Sequence, residues 1–252
     1  MPLEQFLDGS DAPERSIAVL NRTEPEPFQT MIENLFADQT VSVSEDVSEE
    51  YENDTVVLLE DGTVVASSPL RALQDAILMV NTDLFTTGTR SLEETTVPDV
   101  LDALAGTRFT LRGYPESDTE KLLLVLISRY IEKRAYVEGD GTLRSSFQRL
   151  SRIEDEQGTK VVYQRVAETA VDVHVYGQPG WSPSSDFPVV AHAGHGIDFR
   201  TSWFVIHDPP DGADHGPAAL LAIELENGVW DGLWSYDPQF VDDLLAYITA
   251  KL

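Results

Sequence analysis

The stretch ELENGVWDGLWSYDPQFVDDLL, residues 224–245, predicts a β-hairpin followed by a helix. Asn227-Gly228 is a dipeptide typical of two-residue hairpin turns, and apolar residues alternate with polar ones around it. Asp237 suits a helix N-cap, and Pro238 suits the first helical position. The apolar residues that follow recur at helical spacing, at Val241, Leu244, Leu245 and Ile248. We therefore expect a C-terminal helix that docks on the sheet containing the hairpin.

The turn also predicts the register of this hairpin, with Leu225 opposite Trp230 and Leu221 opposite Trp234. In this register one face of the hairpin is aromatic, and Gly232 leaves a gap between the two indole rings. Tryptophan and tyrosine carry a polar atom that needs a partner when buried, whereas phenylalanine or leucine would fill a core without one. Two interpretations remain open: the face lines a pocket that stacks a planar ligand, or the last helix covers it and the aromatic residues belong to the core.

The candidate ligand-binding residues are aromatic or imidazole side chains in the second half of the chain: Trp230, Trp234, Tyr236, Trp203, His174 and Tyr176. The opposite face of the hairpin is predicted to place Glu224 across from Asp231. Like charges that face each other across two strands repel, and a cation, an arginine or solvent would relieve this repulsion.

The rest of the chain alternates short apolar strands with amphipathic helices. Asp61-Gly62 lies between two valine-rich runs and predicts another hairpin, and Ser117 with Glu120 forms a capping box before a long apolar helix. These patterns predict an α/β (α+β) fold with a mixed, largely antiparallel sheet and packed helices. A break near Gly113 and Pro115 predicts a boundary between an N-terminal α/β region, residues 1–112, and a second domain, residues 113–252.

The charge balance predicts a protein adapted to a salt-rich cytoplasm. The chain has 44 acidic and 17 basic residues and a net charge of -27. A dense carboxylate shell keeps a protein dissolved where salt screens its repulsion, so the composition is typical of a halophilic protein. The alternative is an ordinary acidic protein of a mesophile. Binding to nucleic acid is disfavoured, because it needs a field of lysine and arginine.

The apolar runs predict neither membrane insertion nor secretion. The longest run, residues 122–127, is far shorter than the roughly 20 residues that a membrane helix needs. The N-terminal residues lack the basic and apolar pattern of a secretory signal. We therefore expect a cytoplasmic protein.

One segment departs from the acidic character of the chain. GTLRSSFQRLSRI, residues 141–153, contains Arg144, Arg149 and Arg152 and no acidic residue. The three arginines are a candidate surface for a protein partner or an anionic ligand. Alternatively, the segment is largely buried and its arginines pair with acidic residues elsewhere.

The sequence contains no signature of a catalytic or cofactor site. There is no cysteine, no phosphate-binding glycine loop and no nucleophile elbow. His192, His195 and His207 offer zinc ligands, but the first two lie in a glycine-broken segment that does not aim both rings at one ion. We therefore expect no cofactor and no resident metal. A metal-dependent hydrolase that uses these three histidines is the least favoured hypothesis.

Four ordered segments of the second half carry a family resemblance: SSFQRLSRI, VYQRVAETAVDVHVYGQP, SWFVIHD and ALLAIELENGVWDGLWSYDPQFVDDLLAYI. Residues 113–252 thereby resemble the DICT sensory domain, and they are most similar to its stand-alone haloarchaeal versions. The resemblance implies a cytoplasmic α/β sensory or signalling module without known chemistry, and it implies no particular ligand-binding or catalytic residues. We expect no attached output domain, so a signal would pass to a separate protein.

These observations favour a non-enzymatic sensory module that binds a small ligand at the aromatic sheet face and signals to a protein partner. The alternative is an interaction or scaffold adaptor that binds no ligand, with the aromatic residues as core.

Overall fold

The computed structural model describes residues 2–8, 13–36, 39–85, 92–112, 118–155, 157–226 and 228–252. Within these ranges the strands are β1 (Arg15–Leu20), β2 (Ser42–Asp46), β3 (Thr55–Glu60), β4 (Thr63–Pro69), β5 (Phe109–Arg112), β6 (Thr142–Arg149), β7 (Asp172–Gln178), β8 (Val190–Ala193), β9 (Ser202–Asp208), β10 (Ala218–Glu226) and β11 (Val229–Ser235). The α-helices are α1 (Glu26–Leu35), α2 (Leu70–Phe85), α3 (Asp99–Asp102), α4 (Asp118–Glu138), α5 (Arg152–Asp155), α6 (Gln157–Ala167), α7 (Ile197–Thr201) and α8 (Pro238–Lys251).

The described strands form two sheets. The smaller has the order β2-β1-β3-β4, and the larger has the order β5-β11-β10-β9-β6-β7-β8. The pairs β1–β2, β6–β7 and β7–β8 are parallel, whereas the other pairs are antiparallel. The predicted α+β class with largely antiparallel strands is therefore confirmed, with the strands divided over two sheets.

Helices cover both faces of the larger sheet. On one face, here called the α4 face, α4 contacts β5, β6, β9 and β10, while its other side contacts α1 and α2. The residues Leu220 and Ala222 of β10 point into this layer. On the opposite face, here called the α8 face, Leu221 and Ile223 pack with Val241 and other apolar residues of α8. The alternation of β10 side chains thus separates two cores.

The C-terminal hairpin forms where the sequence predicts it, but its register is different. Glu226 pairs with Val229 as expected, and a bulge between Glu224 and Glu226 then shifts the pairing by one residue. The residue opposite Trp230 is therefore Glu224. Beyond the bulge the remaining pairs are Ile223–Asp231, Ala222–Gly232, Leu221–Leu233 and Leu220–Trp234. The predicted pairing of Glu224 with Asp231 is wrong, because these two side chains now lie on opposite faces.

The shifted register also changes what covers the tryptophans. Trp230 and Trp234 lie on the α4 face, so α8 does not cover them, contrary to the second interpretation of the sequence. The Asp237 cap of α8 is confirmed, since its side chain accepts a hydrogen bond from the Gln239 backbone N–H at 2.9 Å. Accordingly α8 docks on the sheet as predicted, but on the face away from the indole rings.

Parts of the chain before residue 113 pack against the larger sheet. The strand β5 pairs with β11, and Leu3 and Leu7 join the core beneath α8. Gly113, Pro115 and Ser117, on which the predicted boundary and capping box depend, lie outside the described residues. The division at this point stays a prediction. Among the described helices, none combines the length and the apolar character needed to span a bilayer.

Candidate functional site

A partly open cleft on the α4 face is the candidate site. It contains a cavity of about 70 Å³ between α4, the end of β6, α6 and β9. The sequence-predicted residues Trp203 and Arg152 both line it. The other lining residues come mainly from the same elements and are Val125, Ser128, Arg129, Glu132, Ser146, Phe147, Gln148, Thr159 and Val205.

The floor of the cleft is a buried polar network. Arg129 donates to Glu132 Oε2 at 2.6 Å and to Thr159 Oγ1 at 3.1 Å. The Tyr163 hydroxyl donates to the other carboxylate oxygen of Glu132 at 2.9 Å and lies 2.5 Å from Ser145 Oγ. Burial, together with the adjacent carboxylate, raises the pKa of Tyr163 well above its usual value, so this hydroxyl stays protonated and donates.

Arg152 lies beside this network, and none of the described residues is an acidic partner for it. Its guanidinium donates to the Gln148 side-chain oxygen, and no carboxylate of the described residues forms an ion pair with it. Gln148 is buried and has a φ of 56°, a left-handed conformation that is uncommon for a residue with a side chain. The irregular end of β6 therefore turns Gln148 towards Arg152.

The indole wall of the cleft is Trp203. This residue is half-buried and packs edge-to-face against Trp230, with ring centroids 6.4 Å apart. The two tryptophans face each other because β9 and β11 flank β10 and both side chains project on the α4 face. Of the predicted aromatic residues, these two are brought together at the surface.

Trp234 does not share this surface. It is fully buried and stacks on Phe109 with ring centroids 5.1 Å apart, although its indole N–H has no hydrogen-bond partner in the described part of the chain. The predicted gap at Gly232 is absent, because Gly232 lies against Ala222 and an added Cβ would meet the Ala222 Cβ at 2.7 Å. The prediction of a void between Trp230 and Trp234 is therefore wrong.

Tyr236 lies apart from the cleft. Its hydroxyl donates to Asp102 Oδ1 at 2.6 Å, and the guanidinium carbon of Arg134 is 5.2 Å from the centre of its ring. Burial and the hydrogen bond to Asp102 raise the pKa of Tyr236. Tyr236 also borders a broad depression of about 540 Å³ near Asp8 and Asp237, whose charged lining is acidic. Among the described residues, this depression offers no cationic or imidazole group to a ligand, so we favour the cleft beside Trp203.

His174 and Tyr176 lie on the α8 face and are separated from Trp203 by the sheet. His174 Nδ1 is 2.8 Å from His192 Nε2, and its Nε2 is 3.0 Å from the Asp172 carboxylate. Tyr176 is buried and stacks on His192 with ring centroids 4.3 Å apart, and its hydroxyl accepts a hydrogen bond from Arg144 at 2.6 Å. Burial, aided by the nearby His174 and Arg144, lowers the pKa of His192.

The structure does not bring Arg144, Arg149 and Arg152 to one surface. Arg144 contacts Tyr176 on the α8 face, Arg152 lines the cleft on the α4 face, and Arg149 is exposed at the end of β6. The segment is largely buried, as one interpretation predicts, but within the described residues its arginines form no ion pairs.

The three histidines of the hydrolase hypothesis also lie apart. His192 shares the α8 face with Tyr176, whereas His207 is buried on the α4 face opposite Ala218. His195 is exposed, and burial lowers the pKa of His207 to about 4. In the part of the chain that the structure describes, no group of three or more His, Asp or Glu side chains is arranged to hold a metal ion.

The buried floor of the cleft was not predicted from the sequence. A signal was present, because Val125, Ser128, Arg129 and Glu132 follow the i, i+3, i+4, i+7 spacing of one helical face. An arginine and a glutamate within a stripe that begins with valine indicate a buried polar group. The remaining members, Tyr163 and Ser145, lie on other elements, so only the fold places them here.

No protein-family model matches the chain, and no curated protein matches it. The resemblance to the DICT sensory domain therefore stays a prediction.

Proposed function

We propose that this chain is a non-enzymatic cytoplasmic sensory module that binds a small ligand in the cleft beside Trp203 and signals to a separate protein. The observation that carries this proposal is the partly open cavity between an indole wall and the buried Arg129–Glu132 floor. Ligand sites combine apolar walls with a few fixed polar groups in this way. The DICT resemblance, as a prediction, agrees with a sensory role.

The position of α4 offers a route from the cleft to the rest of the molecule. A ligand shifts a conformational equilibrium only through contacts that differ between the two states. Side chains of α4 form the floor of the cleft, and the same helix contacts α1 and α2 on its other side. Binding that repositions α4 is therefore felt beyond the larger sheet.

A ligand screen on two variants tests this proposal. A compound present at about a hundredfold excess over its dissociation constant should stabilise the wild type by about 2.7 kcal/mol. Trp203→Ala should abolish this stabilisation, because it removes the indole wall of the cleft. Trp181→Ala is the matched control, since Trp181 is a partly buried tryptophan that packs on Phe187 instead. The measurement is the thermal unfolding midpoint across a metabolite library in high KCl.

The same screen separates the sensor from the adaptor. If no compound raises the midpoint of the wild type, or if Trp203→Ala and Trp181→Ala respond alike to every compound that does, the ligand proposal is contradicted. The adaptor without a ligand would then be the better account of the chain.

A further inference from the structure

Among the described residues, the charge of the cleft lining is opposite in sign to that of the whole chain. The charged lining residues that the structure describes are Arg129, Arg152 and Glu132, two cations and one anion. The chain as a whole has a net charge of -27. A local excess of positive charge attracts anions to that point, whereas the negative surface around it repels them.

The excess resides on Arg152. Glu132 is neutralised by Arg129 and accepts a further hydrogen bond from Tyr163, so neither member of that pair is left uncompensated. Arg152 donates to the neutral side-chain amide of Gln148 and makes no ion pair with a described carboxylate. A guanidinium has five N–H donors in a planar fork that matches the two oxygens of a carboxylate.

The backbone at the end of β6 holds this arginine in place. The pairing of β6 with β7 is irregular between Ser146 and Arg149, and Gln148 has a positive φ within this irregularity. Such conformations cost free energy, and they concentrate at ligand-binding positions. The strained Gln148 directs its amide oxygen to Arg152, so the guanidinium is oriented before a ligand arrives.

Part of the remaining lining is apolar. Phe147, Trp203, Val125 and Val205 line the cavity together with the polar groups. An apolar cavity of about 150 Å³ admits benzene, so the cavity of about 70 Å³ encloses only part of such a molecule. The partly exposed Trp203 borders the open side of this cavity, where the rest of such a molecule would lie. We propose that the cleft binds a small organic carboxylate, with the carboxylate on Arg152 and the apolar body against Trp203 and Phe147. This inference rests on the proposed function.

Calorimetric titration with matched acids and amides tests the inference. The probes are acetate, isovalerate and benzoate, each compared with its neutral amide, in about 1 M KCl, where screening removes contributions from exposed charges. In the wild type at least one acid should bind about tenfold or more tightly than its amide, because a hydrogen bond to a charged group is stronger than one to a neutral group. Arg152→Gln should remove this preference.

Arg149→Gln is the control for charge. It makes the same change in net charge at an exposed neighbouring position and should alter the affinities less than about twofold. Arg152→Lys serves if Arg152→Gln does not fold, and it should lower acid affinity because the ammonium cannot bind a carboxylate bidentately. Circular dichroism and the unfolding midpoint show that each variant is folded.

Two results would overturn the carboxylate assignment. The first is that the amides bind as tightly as the acids and that Arg152→Gln does not change the affinity of the acids. The second is that the wild-type protein binds none of the acids. In either case the library screen tests the ligand site independently, because it asks whether any compound stabilises the protein in a way that depends on Trp203.

Discussion

The Arg129–Glu132 pair is a residue-scale feature that packing does not explain. The two side chains are only 11% and 3% exposed, so both charges have lost most of their hydration. Removing charges from water offsets much of their attraction, and apolar residues of similar volume often stabilise a core equally well. The pair is therefore better understood as the fixed polar floor of a site than as a source of stability.

At Gly232 the fold leaves no room for a side chain. An added Cβ would lie 2.7 Å from both the Ala222 Cβ and the Leu221 carbonyl oxygen. Gly232→Ala should therefore lower the free energy of unfolding by about 1–3 kcal/mol, the usual cost of overpacking. Chemical denaturation measures this difference. Gly216→Ala is the control, because nothing lies within 4 Å of its Cβ, and it should change stability by less than about 0.5 kcal/mol. Equal stability of the two variants would contradict the register described for β10 and β11.

At the scale of elements, local chemistry predicted several of the turns, strands and helices. The Asp61-Gly62 turn, the α8 cap and the run of strands from β7 to β11 follow from dipeptides and periodicity alone, whereas Asn227 of the second predicted turn lies outside the described residues. Asp61 and Gly62 both have positive φ, as the predicted turn requires. These signals suffice because each acts over a few neighbouring residues.

The same local signals could not predict the bulge in β10. Leu225 is the extra residue of this bulge, between Glu224 and Glu226. Because of it, every earlier side chain of β10 lies on the opposite face from the one predicted relative to β11. Similarly, Trp203 and Arg152 were predicted as members of two separate sites. They meet only because β6 pairs with β9 in the sheet, a long-range contact without a local signal.

The cap of α8 permits a test at the scale of one element. Asp237→Ala leaves the backbone N–H of Gln239 without its side-chain acceptor and should cost about 0.5–2 kcal/mol in the free energy of unfolding. Asp237→Asn removes the same negative charge but keeps an acceptor oxygen, so it should be nearly neutral. Thermal and chemical denaturation measure both. If the two variants lose the same stability, charge rather than capping is the cause, and the assigned role of Asp237 is wrong.

At the scale of the whole molecule, the surface charge determines the salt concentration at which the folded state is stable. The net charge of -27 is distributed over 12109 Å² of accessible surface. That density corresponds to one net charge per patch of surface about 21 Å across. This spacing lies between the Debye length of about 30 Å at 0.01 M salt and that of about 10 Å at 0.1 M salt. Net charges therefore repel one another at the lower concentration and are largely screened at the higher one.

This spacing predicts how stability depends on salt. Folding concentrates the charges, so screening favours the folded state, and the unfolding midpoint should rise most steeply between about 0.01 and 0.1 M KCl. A sucrose series at low salt is the control, because sucrose strengthens apolar burial without screening charge. Its slope measures the contribution of burial alone. If the steep rise in KCl instead occurs above about 1 M, where the Debye length is only about 3 Å, long-range repulsion is not the cause. Ion binding at specific carboxylate groups would then have to account for the acidic composition.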